Sequence, residues 1–209
     1  RTIGVLVPRL SDMVLATIYE GIDEAAAEHG YLTFVSNTQD EPDKQRKLID
    51  MALARRVDGL ILGDAHSAPA NAPPNPLLAE LARRDVPFVL VSRHADHHCA
   101  VTCDDLEGGR LAAQHLLDMG HRRIAVMVGE PFASTGRDRS EGFFGYCAQH
   151  GVEVPAHWRI ESPFDTDAGR DIGARLLSPA DRPTAIFAVN DFLAAVSYTH
   201  LRAHETGRN

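Results

Sequence analysis

The sequence has little of what a membrane protein or a disulfide-rich secreted protein needs. No apolar run approaches the roughly 20 residues of a membrane-spanning helix, and no charged-then-apolar leader opens the chain. The three cysteines are an odd number without the spacing of a small disulfide scaffold, which favours a reducing compartment. We therefore expect a cytoplasmic protein with no membrane partner. Because the sequence begins at Arg1 rather than Met, the possibility that a leader or a further domain precedes it stays open.

Motifs that bind nucleotide phosphates or carry out hydrolysis are also missing. The sequence has no Gly-x-Gly-x-x-Gly turn after a strand and no Gly-x4-Gly-Lys-Ser/Thr loop. It has neither a Gly-x-Ser-x-Gly elbow nor a His-Glu-x-x-His helix. We predict no catalytic residue, no cofactor and no enzymatic activity, and an enzyme on a doubly wound fold would need a catalytic constellation that we do not find.

Lysine is scarce as well, and acidic residues outnumber basic ones by 29 to 21. The formal net charge is −8, and Lys44 and Lys47 are the only lysines. A chain with this charge would repel a phosphate backbone. Any contact with DNA is therefore expected from a segment outside this sequence.

What the sequence does contain is a regular alternation of apolar strand patterns and helix-period stretches. The strands are continuously apolar, as in parallel sheets covered on both faces. In the first helix Ile18, Ile22, Ala25 and Ala26 share one face, and Gly30 follows as its cap. Strands are predicted at 3–7, 32–36, 59–62, 88–91, 124–128 and 185–189, with short strands near 100 and 160. The other helices are predicted at 43–56, 77–84, 105–119, 138–150 and 167–177.

This alternation predicts an α/β protein built from two doubly wound, flavodoxin- or Rossmann-like subdomains with parallel sheets. We place the N-terminal subdomain at residues 1–103 and the C-terminal subdomain at 104–195, with a surface loop at 65–76. Residues 196–209 break the Ala/Leu periodicity of the preceding helix and look like translated sequencing-adapter read-through. They are predicted to be a non-native tail, so that the C-terminal subdomain would be incomplete.

In open α/β sheets ligands bind at the carboxyl ends of the strands, so the residues just after each strand are the first candidates for a binding site. Arg, Asp, Asn and Ser side chains and the aromatic ring of Phe164 occur there. This mixture suits a polyhydroxylated ligand, because Arg and Asp can hold vicinal hydroxyls while an aromatic face covers a sugar ring. The segments are 8–12, 63–66, 92–94, 129–139, residue 164 and 190–191.

Six stretches, in order along the chain, resemble the effector domain of lactose-repressor (LacI/GalR) family transcription regulators. They are Thr2 to Pro8 (TIGVLVP), Gly21-Ile22, Arg56 to Leu62 (RVDGLIL), His115 to Ala125 (HLLDMGHRRIA), Ser134 to Phe143 (STGRDRSEGF) and Pro183 to Asp191 (PTAIFAVND). The resemblance covers residues 2 to about 195.

The resemblance implies a periplasmic-binding-protein-like type I fold, with two subdomains joined by three crossovers and closing over a small effector. It implies a homodimer that reaches operator DNA through an N-terminal helix-turn-helix outside this sequence. The effector would be a sugar or a nucleoside-like molecule, and its binding would control operator affinity by population shift. The alternative is an extracytoplasmic sugar-binding protein of a transporter, which would need an upstream signal peptide.

By motif position the resemblance makes Arg139 and Asp191 the effector-gripping arginine and acid, and Phe164 a ring-stacking residue. The other predicted ligand-binding residues are Asn190, Asp12, Ser11, Arg93 and Thr135. Met13, Val14 and Leu15 stand where the family often has aromatics, and Ser92 stands where it commonly has an acid before the arginine.

Each of these assignments has a structural alternative. Arg139 and Asp191 would also fit a salt bridge or charges at a helix start, Asn190 a helix cap, and Phe164 a core aromatic. The loop from His94 to Cys103 is rich in imidazole and thiol groups, but its spacing matches no zinc motif, so we predict no metal there.

Overall fold

The computed structural model describes residues 1–67, 75–95, 97–161, 176 and 182–195. The chain divides into two compact units between Cys103 and Asp104. Both units alternate strands and helices and contain only parallel strand pairs within the described ranges. The predicted α/β class with two parallel sheets is therefore confirmed. No helix of the described residues is long and apolar enough to cross a membrane.

The first unit is built on a five-stranded sheet in the order β2-β1-β3-β4-β5. In this order the chain reverses its winding direction between β1 and β3, which makes the crevice beside their carboxyl ends the expected place for a ligand. The elements are β1 (Thr2–Val7), α1 (Met13–Glu28), β2 (Leu32–Asn37), α2 (Pro42–Ala54), β3 (Gly59–Leu62), α3 (Pro76–Arg83), β4 (Phe88–Val91) and β5 (Ala100–Val101).

The core of the first unit forms where apolar strands meet the apolar stripes of the helices. Leu6, Leu62 and Leu90 are fully buried on neighbouring strands, and Ile49 and Leu81 cover them from α2 and α3. Full burial of such side chains stabilises the fold by about 1.5–3 kcal/mol each. The sheet is thus fixed at its centre, and the strand ends that carry polar residues are held in place.

The second unit has β6 (Ile124–Met127) between two parallel neighbours, β7 (Arg159–Ile160) and β8 (Ala185–Ala188). Its helices are α4 (Asp105–Asp118) and α5 (Ser134–Gln149), with a 3₁₀ turn at Ala156–Trp158 and a helical segment at residues 191–195. Phe143 is fully buried and stacks on Phe187 with ring centroids 4.6 Å apart. This stack ties α5 to β8.

Glycines bring α4 and α5 into direct backbone contact. A Cβ at Gly109 would lie 1.8 Å from the main-chain oxygen of Arg139, and a Cβ at Gly142 would lie 2.0 Å from that of Leu106. No side chain fits at either position. The two helices therefore pack with main chain against main chain, the arrangement in which Cα–H groups approach carbonyl oxygens.

Several local expectations hold and others fail. Gly30 and Gly120 follow α1 and α4 with φ of +75° and +86°, as predicted for caps. The prediction that a helix begins at Asp138 is wrong, because α5 begins four residues earlier at Ser134. Gly136 allows this earlier start, since a Cβ there would approach the Val128 oxygen to 2.9 Å.

Two further expectations differ from the structure or lie outside it. Ala25, expected on the buried face of α1, is exposed, whereas Ala26 is buried. Within the predicted surface loop, Ala65 joins the core and Ser67 is buried with its hydroxyl on the His94 carbonyl. The predicted helix at 167–177 and the predicted tail at 196–209 fall largely or wholly outside the described residues.

Candidate functional site

A buried ion pair links the ends of two strands in the first unit. Arg93, just after β4, donates from Nη1 to Asp40 Oδ1 at 2.6 Å and from Nη2 to Asp40 Oδ2 at 3.1 Å. The side chains are only 8% and 12% exposed, and His66 Nε2 lies 3.7 Å from Asp40 Oδ1. Burial raises the pKa of Asp40, but interactions with His66 and Arg93 outweigh burial and hold this pKa below its usual value. The guanidinium of Arg93 is therefore oriented by a carboxylate.

The backbone on both sides of this pair is strained. Gln39 and Asp40 have φ of +60° and +59°, and Ser92, next to Arg93, has φ of +66°. Side chains other than glycine rarely adopt this left-handed region, at a cost of about 1–2 kcal/mol each. Such strain persists where the surrounding structure enforces it, and it often accompanies binding sites.

Asp64, two residues after β3, is a buried carboxyl whose oxygens accept no hydrogen bond from the described residues. Two neighbouring polar side chains donate to other acceptors. The Thr38 hydroxyl donates to the Val7 carbonyl, and the Gln45 amide donates to the main-chain oxygen of Asp64 itself. Burial raises the pKa of the Asp64 carboxyl, and the neighbouring Thr38 and Gln45 side chains offset this only in part.

The loop after β1 holds two of the predicted ligand residues. Asp12 is the N-cap of α1, and its Oδ1 accepts a hydrogen bond from the Val14 amide at 2.9 Å. Ser11 is exposed beside it, and Met13 and Val14 are also largely exposed. One oxygen of Asp12 is thus used for capping, while this part of the loop remains open to solvent.

In the second unit, Arg139 is held at two points. Its Nε donates to Asp105 Oδ1 at 2.8 Å, and its Nη1 donates to the main-chain oxygen of Val189 at 2.8 Å. The Asp105 side chain is 6% exposed and the Arg139 side chain is 34% exposed. The structure therefore brings Arg139 to the end of β8, directly beside Asn190.

The other predicted residues of the second unit differ in their surroundings. Asn190 caps the helical segment that follows β8, because its Oδ1 accepts from the Leu193 amide at 2.9 Å. Asp191 is exposed at the start of that segment, and Thr135 is half-buried in the first turn of α5. Phe164 lies outside the described residues.

Of four further polar residues at or beside these positions, the sequence analysis included Asp64 and His66 in the candidate segment 63–66 but missed Asp40 and Asp105. Asp40 and Asp105 are the carboxylates that hold the two candidate arginines, and Asp64 and His66 follow β3. The rule that ligands bind after strands does point to Asp64 and His66. No local signal identifies Asp40 or Asp105, because their partners lie 53 and 34 residues away.

The loop that contains several His and Cys residues does not form a metal cluster among the described residues. No group of three or more His, Cys, Asp or Glu side chains in that part of the chain could hold a metal ion. Cys99 and Cys103 are exposed free thiols, and the ring of His98 packs against Phe88 at 5.0 Å.

The arginine, carboxylate and amide groups of both units lie at the strand ends, which is where open parallel α/β proteins bind small molecules. A family model described as periplasmic binding proteins and sugar binding domain of LacI family matches residues 1–208. The chain belongs to this family, and the family and fold predicted from the six motifs are confirmed.

The curated relatives include the HTH-type transcriptional repressor PurR of Escherichia coli, strain O1:K1, which is 31% identical over 198 residues. That match covers 93% of this chain and 56% of the relative, so the chain spans about half the length of the curated relatives it matches. The relatives are transcriptional repressors rather than enzymes.

Solved structures show the same fold. A putative ribose operon repressor from Burkholderia thailandensis is 27% identical with a TM-score of 0.79, and the match covers 98% of this chain and 74% of that one. The Cra transcriptional dual regulator from Pseudomonas putida, in complex with fructose 1-phosphate, is 26% identical with a TM-score of 0.82, covering 97% and 73%.

Proposed function

We propose that this chain is the effector-binding part of a LacI-type transcription regulator and that it binds a sugar-like or nucleoside-like molecule at the carboxyl ends of its strands. The observation that carries the proposal is the placement of Arg139. Its partly exposed guanidinium sits at the end of β8 beside Asn190, on a chain whose relatives include effector-bound regulators.

The predicted ligand residues form two groups on this proposal. The second unit would contact the effector through Arg139, Thr135, Asn190 and Asp191, with Phe164 as the ring-stacking side chain. The first unit would contact it through Ser11, Asp12 and Arg93. A guanidinium beside an amide and a carboxylate can bind adjacent hydroxyls or a phosphate through charge-assisted, geometrically specific hydrogen bonds. No covalent chemistry is needed, which agrees with a binding protein rather than an enzyme.

Operator binding, dimer formation and a cytoplasmic location belong to the same proposal. The net charge of −8 makes this chain unsuited to hold DNA by itself, so the DNA reader would be a helix-turn-helix segment outside this sequence. Relatives described as HTH-type repressors support this arrangement. Effector binding would then shift the population of conformations with different operator affinity.

The test is a ligand panel on the purified chain, read by thermal unfolding and then by calorimetry. The panel contains D-fructose 1-phosphate, cellobiose, D-ribose and purine nucleosides. A ligand at about 100 times its Kd stabilises the folded state by about 2.7 kcal/mol, which corresponds to a shift in Tm of roughly 5–10 °C. We expect at least one member to produce such a shift.

The matched variants are Asp191→Asn and Asp118→Asn. Both replace an exposed acid of the second unit, but only Asp191 belongs to the proposed site. The first should lose most of the ligand-induced shift, and the second should keep it. A panel that leaves Tm unchanged up to millimolar ligand, or equal shifts in both variants, contradicts the proposal.

A further inference from the structure

The guanidinium of Arg139 is oriented by a carboxylate on another helix. Of its five N–H groups, the one on Nε points to Asp105 and one on Nη1 points to the Val189 carbonyl. Within the described residues no group accepts from the remaining three, including both on Nη2. The guanidinium is therefore held through Nε and Nη1, and its Nη2 donors are available to a ligand.

The anchor itself is rigid. Asp105 is the first residue of α4 and is buried, so its carboxylate has little freedom to move. The same helix touches the main chain of Arg139, since a Cβ at Gly109 would lie 1.8 Å from the Arg139 oxygen. One helix thus fixes both the backbone and the guanidinium of this arginine.

A second ion pair on α4, between Glu107 and Arg110, is solvent-exposed and serves as a comparison. Glu107 and Arg110 are three residues apart on the same helix, and their Nε–Oε2 distance is 2.6 Å. Both side chains are more than a third exposed, at 45% and 37%. The Asp105–Arg139 pair differs because its acid is buried and its arginine also bonds to the end of β8.

We propose that Asp105 is a positioning residue, which aims the free N–H groups of Arg139 at an effector that accepts through phosphate or hydroxyl oxygens. The identity of the ligand rests on the proposed function, whereas the orientation of Arg139 does not. A positioned arginine binds such oxygens in a fixed fork, and less side-chain freedom is lost on binding than for a mobile one.

The test combines a spectroscopic signal and an affinity. In the ¹⁵N-labelled chain, the Nε–H signal of Arg139 is assigned by its loss in Arg139→Lys. We expect a distinct, slowly exchanging signal in the unmodified chain. Asp105→Asn should shift this signal and speed its exchange with water, whereas Glu107→Gln should leave it unchanged.

Affinity for D-fructose 1-phosphate, measured by calorimetry well below Tm, supplies the second readout. Asp105→Asn should weaken binding by about tenfold or more, the factor expected for a hydrogen bond to a charged group, and Glu107→Gln should not. A pair that only joins two helices would lower Tm in Asp105→Asn and leave this Kd unchanged, which would overturn the proposal.

The two proposals fail in different ways. An unchanged Nε–H signal in Asp105→Asn refutes the positioning role whatever the ligand. If no member of the panel binds the unmodified chain, the proposed function fails, and a perturbed Nε–H signal then supports only the orientation of Arg139 by Asp105.

Discussion

Adding one methyl group at Gly109 should destabilise the second unit, whereas the same change at the adjacent Gly108 should stabilise it. The two glycines lie side by side in α4. A Cβ at Gly109 would lie 1.8, 2.7 and 2.9 Å from the oxygen, carbonyl carbon and Cα of Arg139, while a Cβ at Gly108 meets nothing within 4 Å. The obstructing atoms are backbone, so no rotamer change can relieve the clash.

The magnitude follows from two opposing effects. Alanine favours a helix interior over glycine by about 1 kcal/mol at either position. At Gly109 the new Cβ lies about 1.6 Å inside ordinary contact distance, so α4 and α5 must separate. Overpacking of this kind costs about 3 kcal/mol, the upper end of the usual range. The net effects are about 2 kcal/mol of destabilisation for Gly109→Ala and up to about 1 kcal/mol of stabilisation for Gly108→Ala.

Thermal unfolding followed by far-ultraviolet circular dichroism measures both variants against the unmodified chain. At roughly 2–4 °C per kcal/mol, Tm should fall by about 4–8 °C for Gly109→Ala and rise by up to about 4 °C for Gly108→Ala. Two glycines of α5 provide a second comparison. A Cβ at Gly142 would lie 2.0 Å from the Leu106 oxygen, whereas a Cβ at Gly145 would have nothing within 4 Å. If Gly109→Ala melted at or above Gly108→Ala, the close backbone contact would be refuted.

Two other predictions concern a buried acid and a helix end. Burial raises the folded-state pKa of Asp64 above its usual 3.8. As pH rises from 3.8, the Asp64 carboxyl therefore loses its proton in the unfolded chain before it does so in the folded chain. The free energy of unfolding falls over this range and becomes constant once pH passes the folded-state pKa. Asp64→Asn removes that loss, and its Tm relative to the unmodified chain should rise from acid to neutral pH; a difference independent of pH would contradict the raised pKa. Arg56, exposed after α2, has φ of +57°, so Arg56→Gly should raise the free energy of unfolding by up to about 1 kcal/mol. Arg55 has φ of −88°, so Arg55→Gly should lower this free energy. Urea unfolding measures both variants, and the reverse order would count against backbone strain at Arg56.

The sequence by itself determined the order of strands and helices and the family. Continuously apolar strands and helix-period stretches carry their own periodicity, so the strands at 3–7, 59–62 and 124–128 were predicted to within a residue of where they lie. Gly30 and Gly120 were identifiable as helix ends because their left-handed conformation favours glycine. The six motifs were sufficient to name the family, since each occurs in the expected order.

Only the tertiary structure decided which polar groups meet. Arg93 and Arg139 were predicted as ligand residues, but their carboxylate partners Asp40 and Asp105 are distant in sequence. Such pairings depend on which strand ends and helices become neighbours after the chain folds, and no local period encodes that. The early start of α5 and the contact at Gly109 have the same origin, because both rest on close backbone approach between elements that only packing brings together.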